Sequence, residues 1–197
     1  MRYDKDDIEQ ALDALRRGGI IVYPTDTVWG IGCDATNPEA VSRIYRLKQR
    51  EDSKSMLVLL DTPAKLQGYV DVPEAADMLL QATSDTDDET ATKPMTIIYP
   101  HARHLAENLI AEDGSVGIRI TSEAFSRALC ERLHRPIVST SANISGHPTA
   151  RFYDEIEDEI LRGVDYVCRF RRDDCTPHEP SSIIKVNTDG TFSIIRP

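Results

Sequence analysis

Apolar residues recur along this chain in blocks whose period switches between helical and extended. Between Asp4 and Arg17 the residues Ile8, Ala11, Leu12 and Leu15 fall at helical spacing, and Gly18 with Gly19 offers a left-handed stop. Residues 20–23 (IIVY) form a continuous β-forming run that suits a strand covered on both faces; Pro24, lacking an N–H, ends it. Asn37 suits an N-cap and Pro38 a first helical position. Val41, Ile44, Tyr45 and Lys48 then follow at i, i+3, i+4 and i+7, which predicts a helix carrying Lys48 on its inward stripe near its end.

Further on, apolar runs at 56–60, 94–99, 116–120 and 136–139 predict strands. They alternate with proline-opened helices over 63–69 and 73–83, a short helix marked by Leu105, Leu109 and Ile110, and a helix capped by Ser122 that buries Phe125, Ala128, Leu129 and Leu133. A helix over 154–162 precedes strands over 166–170, 182–186 and 191–195, the final two joined across Asn187-Thr-Asp-Gly190. The pattern is α/β alternation with an antiparallel finish, and it reads as one domain over 1–197. Two polar interruptions, SDTDDETAT at 84–92 and RRDDCTPHEP at 171–180, read as solvated loops and as the segments able to move over a ligand.

Composition narrows the chemistry. A chain of 197 residues with 40% hydrophobic and 28% charged residues can bury a core of its own. Its net charge of −10 repels polyanions, so a phosphate ligand needs a local basic cluster rather than a general field. Four cysteines without C-x-x-C spacing, and an opening segment without a secretory apolar core, suggest reduced thiols in the cytoplasm. No apolar run approaches the roughly 20 residues of a membrane span.

Several familiar motifs fail. There is no G-x-x-x-x-G-K-[ST]. Gly30-Ile-Gly-Cys-Asp-Ala35 matches a loose G-x-G-x-x-A, but its glycines do not make the strand-to-helix turn that a dinucleotide fold requires. His101 and His104 lack a third zinc ligand at a useful spacing, and Ser139 and Ser141 lack the G-x-S-x-G elbow. What remains is a set of cations and hydroxyl or amide groups at element ends: Lys48, Arg50, Lys54, Arg119, Arg196, Thr25, Thr96, Ser139, Ser141, Asn143 and Ser181. Lysine binds phosphate as a point charge and arginine by a fork, so together they suit a triphosphate and a small zwitterion. Arg119, in the middle of VGIRI, needs a partner, a route to solvent or a ligand.

The stretches Tyr23-Pro-Thr-Asp-Thr-Val-Trp-Gly-Ile-Gly-Cys-Asp34, Leu47-Lys-Gln-Arg50, Pro94-Met-Thr96, Gly117-Ile-Arg-Ile120, Pro136-Ile-Val-Ser-Thr-Ser-Ala-Asn-Ile-Ser-Gly146, Pro180-Ser-Ser-Ile-Ile184 and Ile195-Arg196 together resemble the YrdC/TsaC family of threonylcarbamoyl-AMP synthases. The resemblance implies a twisted mixed β-sheet flanked by helices, the YrdC/RibB-like form of α/β, in a single domain. It also implies a nucleotidyltransferase that joins L-threonine, bicarbonate or CO2, and ATP into threonylcarbamoyl-AMP and pyrophosphate for the t6A modification of tRNA. Its Lys-x-Arg and Ser-x-Asn tetrad falls on Lys48, Arg50, Ser141 and Asn143. By similarity Thr25, Arg119 and Ser181 hold threonine, while Lys48, Arg50, Lys54, Thr96, Ser139, Ser141, Asn143 and Arg196 face ATP. Mg2+ is expected on the phosphates, a threonylcarbamoyl transferase as the recipient of product, and weak tRNA or double-stranded RNA binding as a further property. The chain departs from the family's pattern in having Arg50-Glu51, Lys54-Ser-Met56 and Ala91-Thr-Lys-Pro94 where relatives carry Arg-Pro, Lys-Pro-Leu and Trp-Pro-Gly-Pro. The competing readings are a noncatalytic RNA-binding module and a sugar-phosphate enzyme of the dihydroxybutanone-phosphate synthase type.

Overall fold

In the computed structural model, which describes residues 3–50, 56–84 and 93–197, Asp4 caps helix α1 (Lys5–Arg16) by accepting from the Asp6 amide. Strand β1 (Ile21–Tyr23), strand β2 (Gly30–Gly32) and helix α2 (Pro38–Leu47) follow, the last capped by Asn37 through the Glu39 and Ala40 amides. Next come β3 (Leu57–Leu60), a 3-10 helix at Pro63–Gly68, α3 (Glu74–Ser84), β4 (Met95–Tyr99) and β5 (Val116–Ile120). The chain closes with α4 (Ala124–Leu133), β6 (Ile137–Ser141), α5 (Asp158–Gly163), β7 (Tyr166–Val167), β8 (Ser182–Val186) and β9 (Phe192–Arg196).

Among the described residues nine strands make one mixed sheet in the order β7-β1-β2-β6-β3-β5-β4-β8-β9. The central register sets Gly30 beside Ser141, Leu57 beside Ser139 and Leu59 beside Arg119. One face carries Val22, Ile31, Val58, Val138, Ile97 and Ile118 and packs under α2, with Val41, Ile44 and Tyr45. The other face carries Ile21, Tyr23, Leu59 and Ile137 under α1 and α4, through Ile8, Leu12, Leu15, Phe125 and Leu129. Side chains alternate between faces along a strand, so Ser139 shares the α1/α4 face with Ile137, two residues before it. The helices cover this second face at Ile21, Tyr23, Leu59 and Ile137, and the cavity described below opens beyond them, from Gly30, Leu57 and Ser139 across β5, β4 and β8.

Several expectations are corrected. Strand β2 was not anticipated, because Gly-Ile-Gly has no hydrophobic alternation. The cap of α4 is Glu123 rather than Ser122: its carboxylate accepts from both the Phe125 and Ser126 amides. The helix expected over 154–162 is a 3-10 turn (Tyr153–Glu155) and a separate α5, because Ile156 and Glu157 are both extended. The strand expected over 166–170 stops at Val167, because the Arg169 and Phe170 amides bond to the buried carboxylate of Asp7 instead of a neighbouring strand. The helix expected over 63–69 is a 3-10 helix at Pro63–Gly68. Segment 171–180 is tied across the 24–29 turn by Arg171, which donates to Thr25 O at 3.0 Å and pairs with Asp174. Lys54 and residues 85–92 lie outside the described residues.

Candidate functional site

The Lys-x-Arg pair is shaped by the way α2 ends. Lys48 is the C-cap, Gln49 takes a left-handed φ of 49°, and the Gln49 and Arg50 amides bond back to Arg46 O and Tyr45 O. This is the paired-bond Schellman end of a helix. It puts the two cations on either side of a left-handed turn, so Lys48 points into the protein while Arg50 reaches the cavity wall.

Lys48 is 1% exposed. Its Nζ donates to the main-chain carbonyls of Ser141 and Asn143 at 2.5 and 2.6 Å, and Lys48 O accepts the Ser145 amide at 2.8 Å. Burial, followed by the neighbouring Arg50 charge, lowers its pKa to about 8, with Glu157 acting in the opposite sense. The Asn143 amide group donates to Ile144 O and His147 O, and its buried Oδ1 has no hydrogen-bond partner among the described residues. The loop leaving β6 is therefore stitched to the end of α2.

A cavity of about 720 Å³ opens on the other side of that loop, and its lining includes Arg50, Thr96, Arg119, Ser139, Ser141, Ser181 and Arg196. Strand alternation explains the floor: Gly117 precedes Arg119 by two, Thr96 precedes Ile98, and Ser139 precedes Ser141, each pair on one face. Thr96 Oγ1 lies 2.9 Å from Ser181 Oγ, and Arg196 Nε donates to Ser181 O at 2.8 Å. Lys48, Asn143 and Thr25 are not part of that lining; Lys48 reaches it through the Ser141 carbonyl. The Thr25 hydroxyl closes its own turn, donating to Val28 O at 2.7 Å and receiving the Thr27 amide.

Arg119 is 2% exposed. Its Nη2 lies 3.0 Å from Asp26 Oδ1 and 3.3 Å from Thr27 Oγ1. The Asp26 contact has ion-pair distance without hydrogen-bond angle, and among the described residues Arg119 Nε has no hydrogen-bond partner. Burial lowers the Arg119 pKa, against the Asp26 charge. A buried guanidinium with an unused donor beside a cavity is prepared for an anionic ligand atom. Sequence reasoning missed Asp26, Thr27, Gly30 and Gly117. The available signals were the acid in Pro-Thr-Asp-Thr, the i+2 partner of Thr25, and the period of two through VGIRI.

Among the described residues no group of three or more His, Cys, Asp or Glu side chains could hold a metal ion, and no helix is long and apolar enough to cross a membrane. His101 and His104 instead contact Asp71 and Gly68 O.

The family model Sua5/YciO/YrdC, described as telomere recombination, matches residues 13–197. A threonylcarbamoyl-AMP synthase of Vibrio campbellii is 31% identical over 180 residues, covering 91% of this chain and 94% of the relative. One of Escherichia coli O1:K1 is 34% identical over 155 residues, covering 79% and 80%. The crystal structure of E. coli YciO superposes with a TM-score of 0.81 at 27% identity, covering 98% of this chain and 89% of that one. P. abyssi Sua5 complexed with L-threonine has the same fold, with a TM-score of 0.84 at 23% identity; this chain spans 55% of its length.

Proposed function

Because this chain belongs to the Sua5/YciO/YrdC family, we propose that it is an L-threonylcarbamoyl-AMP synthase, a nucleotidyltransferase that uses L-threonine, bicarbonate-derived CO2 and ATP and releases pyrophosphate. The observation that carries the reading is the shared cavity: Arg119, buried and with an unused donor, opens into the same space as Arg50 and the Ser139–Ser141 strand. One cationic centre suits the carboxylate of an amino acid and the other suits phosphates.

In this mechanism the amine of threonine takes up CO2, and an oxygen of the carbamate attacks the α-phosphorus of ATP. In-line displacement gathers negative charge on the nonbridging oxygens and on departing pyrophosphate, which fixed cations stabilise with little covalent work by the protein. Arg50 and Arg196 stand at the wall; Lys48 adds its charge from outside the lining and fixes Ser141 by holding its carbonyl. Arg119 with Ser181 orients threonine, Asp26 and Thr27 hold Arg119, and Ser139, Ser141 and Thr96 form the ATP side, with Asn143 outside the lining and tied to Lys48 through its carbonyl. The described residues do not build a cage for Mg2+, so the ion enters this reading only as the companion of the ATP phosphates.

The product is a reactive mixed anhydride, so a threonylcarbamoyl transferase acting on tRNA would consume it in the cytoplasm. Any contact of this acidic chain with RNA would be weak. The test is pyrophosphate release by purified protein with ATP, threonine and bicarbonate, against controls that replace threonine by serine or omit bicarbonate. Release that needs both supports the synthase. Salt-steep tRNA binding without turnover would support the binding-module alternative.

A further inference from the structure

Glu157 sits at the N-cap position of α5, yet its side chain makes no capping bond there. It turns to the loop after β6: Oε2 accepts the Ile144 amide at 2.9 Å and Oε1 lies 2.7 Å from His147 Nδ1. Ile144 stands between Asn143, whose carbonyl Lys48 holds, and Ser145, whose amide bonds to Lys48 O. The loop is thus gripped by Lys48 on one side and by Glu157 on the other. Nothing about local sequence requires this grip.

We propose that Glu157 is a positioning residue of the synthase site: its carboxylate fixes the 141–147 loop and supplies the counter-charge to the buried Lys48. The inference rests on the synthase reading for its effect on turnover. The charged groups facing Lys48 are Arg50 on the turn after α2 and Glu157 before α5. His147 pairs with Glu157 from within the loop, while Glu159 of α5 contacts the Gln49 side chain at 3.5 Å. The Ile144 amide and then the His147 contact hold the Glu157 carboxyl below its usual range, so it stays ionised across the working range. Burial and then Arg50 favour neutral Lys48, and Glu157 opposes both.

The test compares the parent with Glu157→Gln, which keeps an acceptor and loses the charge, and with Glu157→Asp, which keeps the charge. Two readouts are taken: NMR titration of the Lys48 side chain in 13C-lysine-labelled protein, and the pH profile of kcat/KM for pyrophosphate release. In the Gln variant the Lys48 titration is expected to move below its parent position near 8. The ratio of kcat/KM at about pH 8.5 to that at about pH 6.5 is expected to drop roughly threefold or more, and the Asp variant to recover part of it. An unchanged titration and profile, or a rate lowered equally at every pH, would overturn the inference. A parent with no threonine-dependent release, but with a Lys48 titration that still moves in the Gln variant, would overturn the synthase reading and support the pairing itself.

Discussion

Lys48 Nζ donates to the main-chain carbonyl of Asn143 at 2.6 Å although 95 positions separate the two residues. This contact, with the one to Ser141 O, makes the end of α2 and the loop after β6 a single wall. Removing the amine at Lys48→Ala takes away a fixed cation near developing phosphate charge and releases two buried carbonyls. The expected outcome is a fall in kcat/KM of about 100-fold with the circular dichroism spectrum retained. Steady-state kinetics on the folded variant checks it.

The same lysine gives activity and stability opposite dependences on pH. Catalysis needs the cation, so the rate should decline as pH rises through about 8. Stability runs the other way. The folded pKa lies below the ordinary lysine value of 10.5 while the unfolded chain keeps that value, so between about 8 and 10.5 the unfolded state binds more protons and the Lys48 contribution to folding rises with pH. Urea midpoints measured across this window, in the parent and in Lys48→Met, isolate the lysine's share: the rise should be smaller in the variant.

Arg119 and Asp26 are each almost fully enclosed, at 3% and 6% side-chain exposure. Arg119→Met strands the aspartate in a dry site, and breaking such a pair costs about 3–5 kcal/mol. The double variant Arg119→Met with Asp26→Asn should recover much of that stability while threonine-dependent turnover stays lost. Chemical denaturation alongside the release assay separates the two effects. Recovery of turnover in the double variant would remove Arg119 from the threonine site.

Two glycines of β2 should respond differently to alanine. At Gly32 a Cβ would meet Val138 O at 2.5 Å and the Tyr23 ring at 2.6 Å, so Gly32→Ala must shift a central strand and should cost roughly 1–3 kcal/mol. At Gly30 the nearest atoms are a Thr25 methyl at 3.2 Å and Ser139 Oγ at 3.4 Å, on the cavity side. Gly30→Ala should therefore change the melting temperature little and raise the KM for a substrate. Thermal melts and KM values for ATP and threonine check the pair.

These contrasts mark what the residues declared in advance and what they did not. The Asn37-Pro38 start of α2 and the Lys-x-Arg at its end were visible because caps and helical period are local. So was the exposure of Arg119 to a special environment, since an apolar strand does not carry a free cation. Its partner Asp26 was not visible, because it lies 93 positions away in the chain (119 − 26) and only the tertiary fold brings the two together. Strand β2 was hidden because its glycines are chosen for close approach to Val138 and Tyr23, which leaves no hydrophobic signal. Residues 154–162 have helical spacing, yet Ile156 and Glu157 are extended and the Glu157 carboxylate bonds to the Ile144 amide. Tertiary demand overrode local propensity there. The cavity itself is a property of what α1 and α4 fail to cover, which no single segment records.

The most direct test of the account uses 13C-bicarbonate, ATP and L-threonine with the purified protein, and reads the intact nucleotide product by mass spectrometry. The account predicts an AMP adduct heavier than AMP by one threonine and one 13CO2 less one water, formed with equimolar pyrophosphate. Formation of ADP and phosphate, or of an AMP product without the labelled carbon, would contradict it.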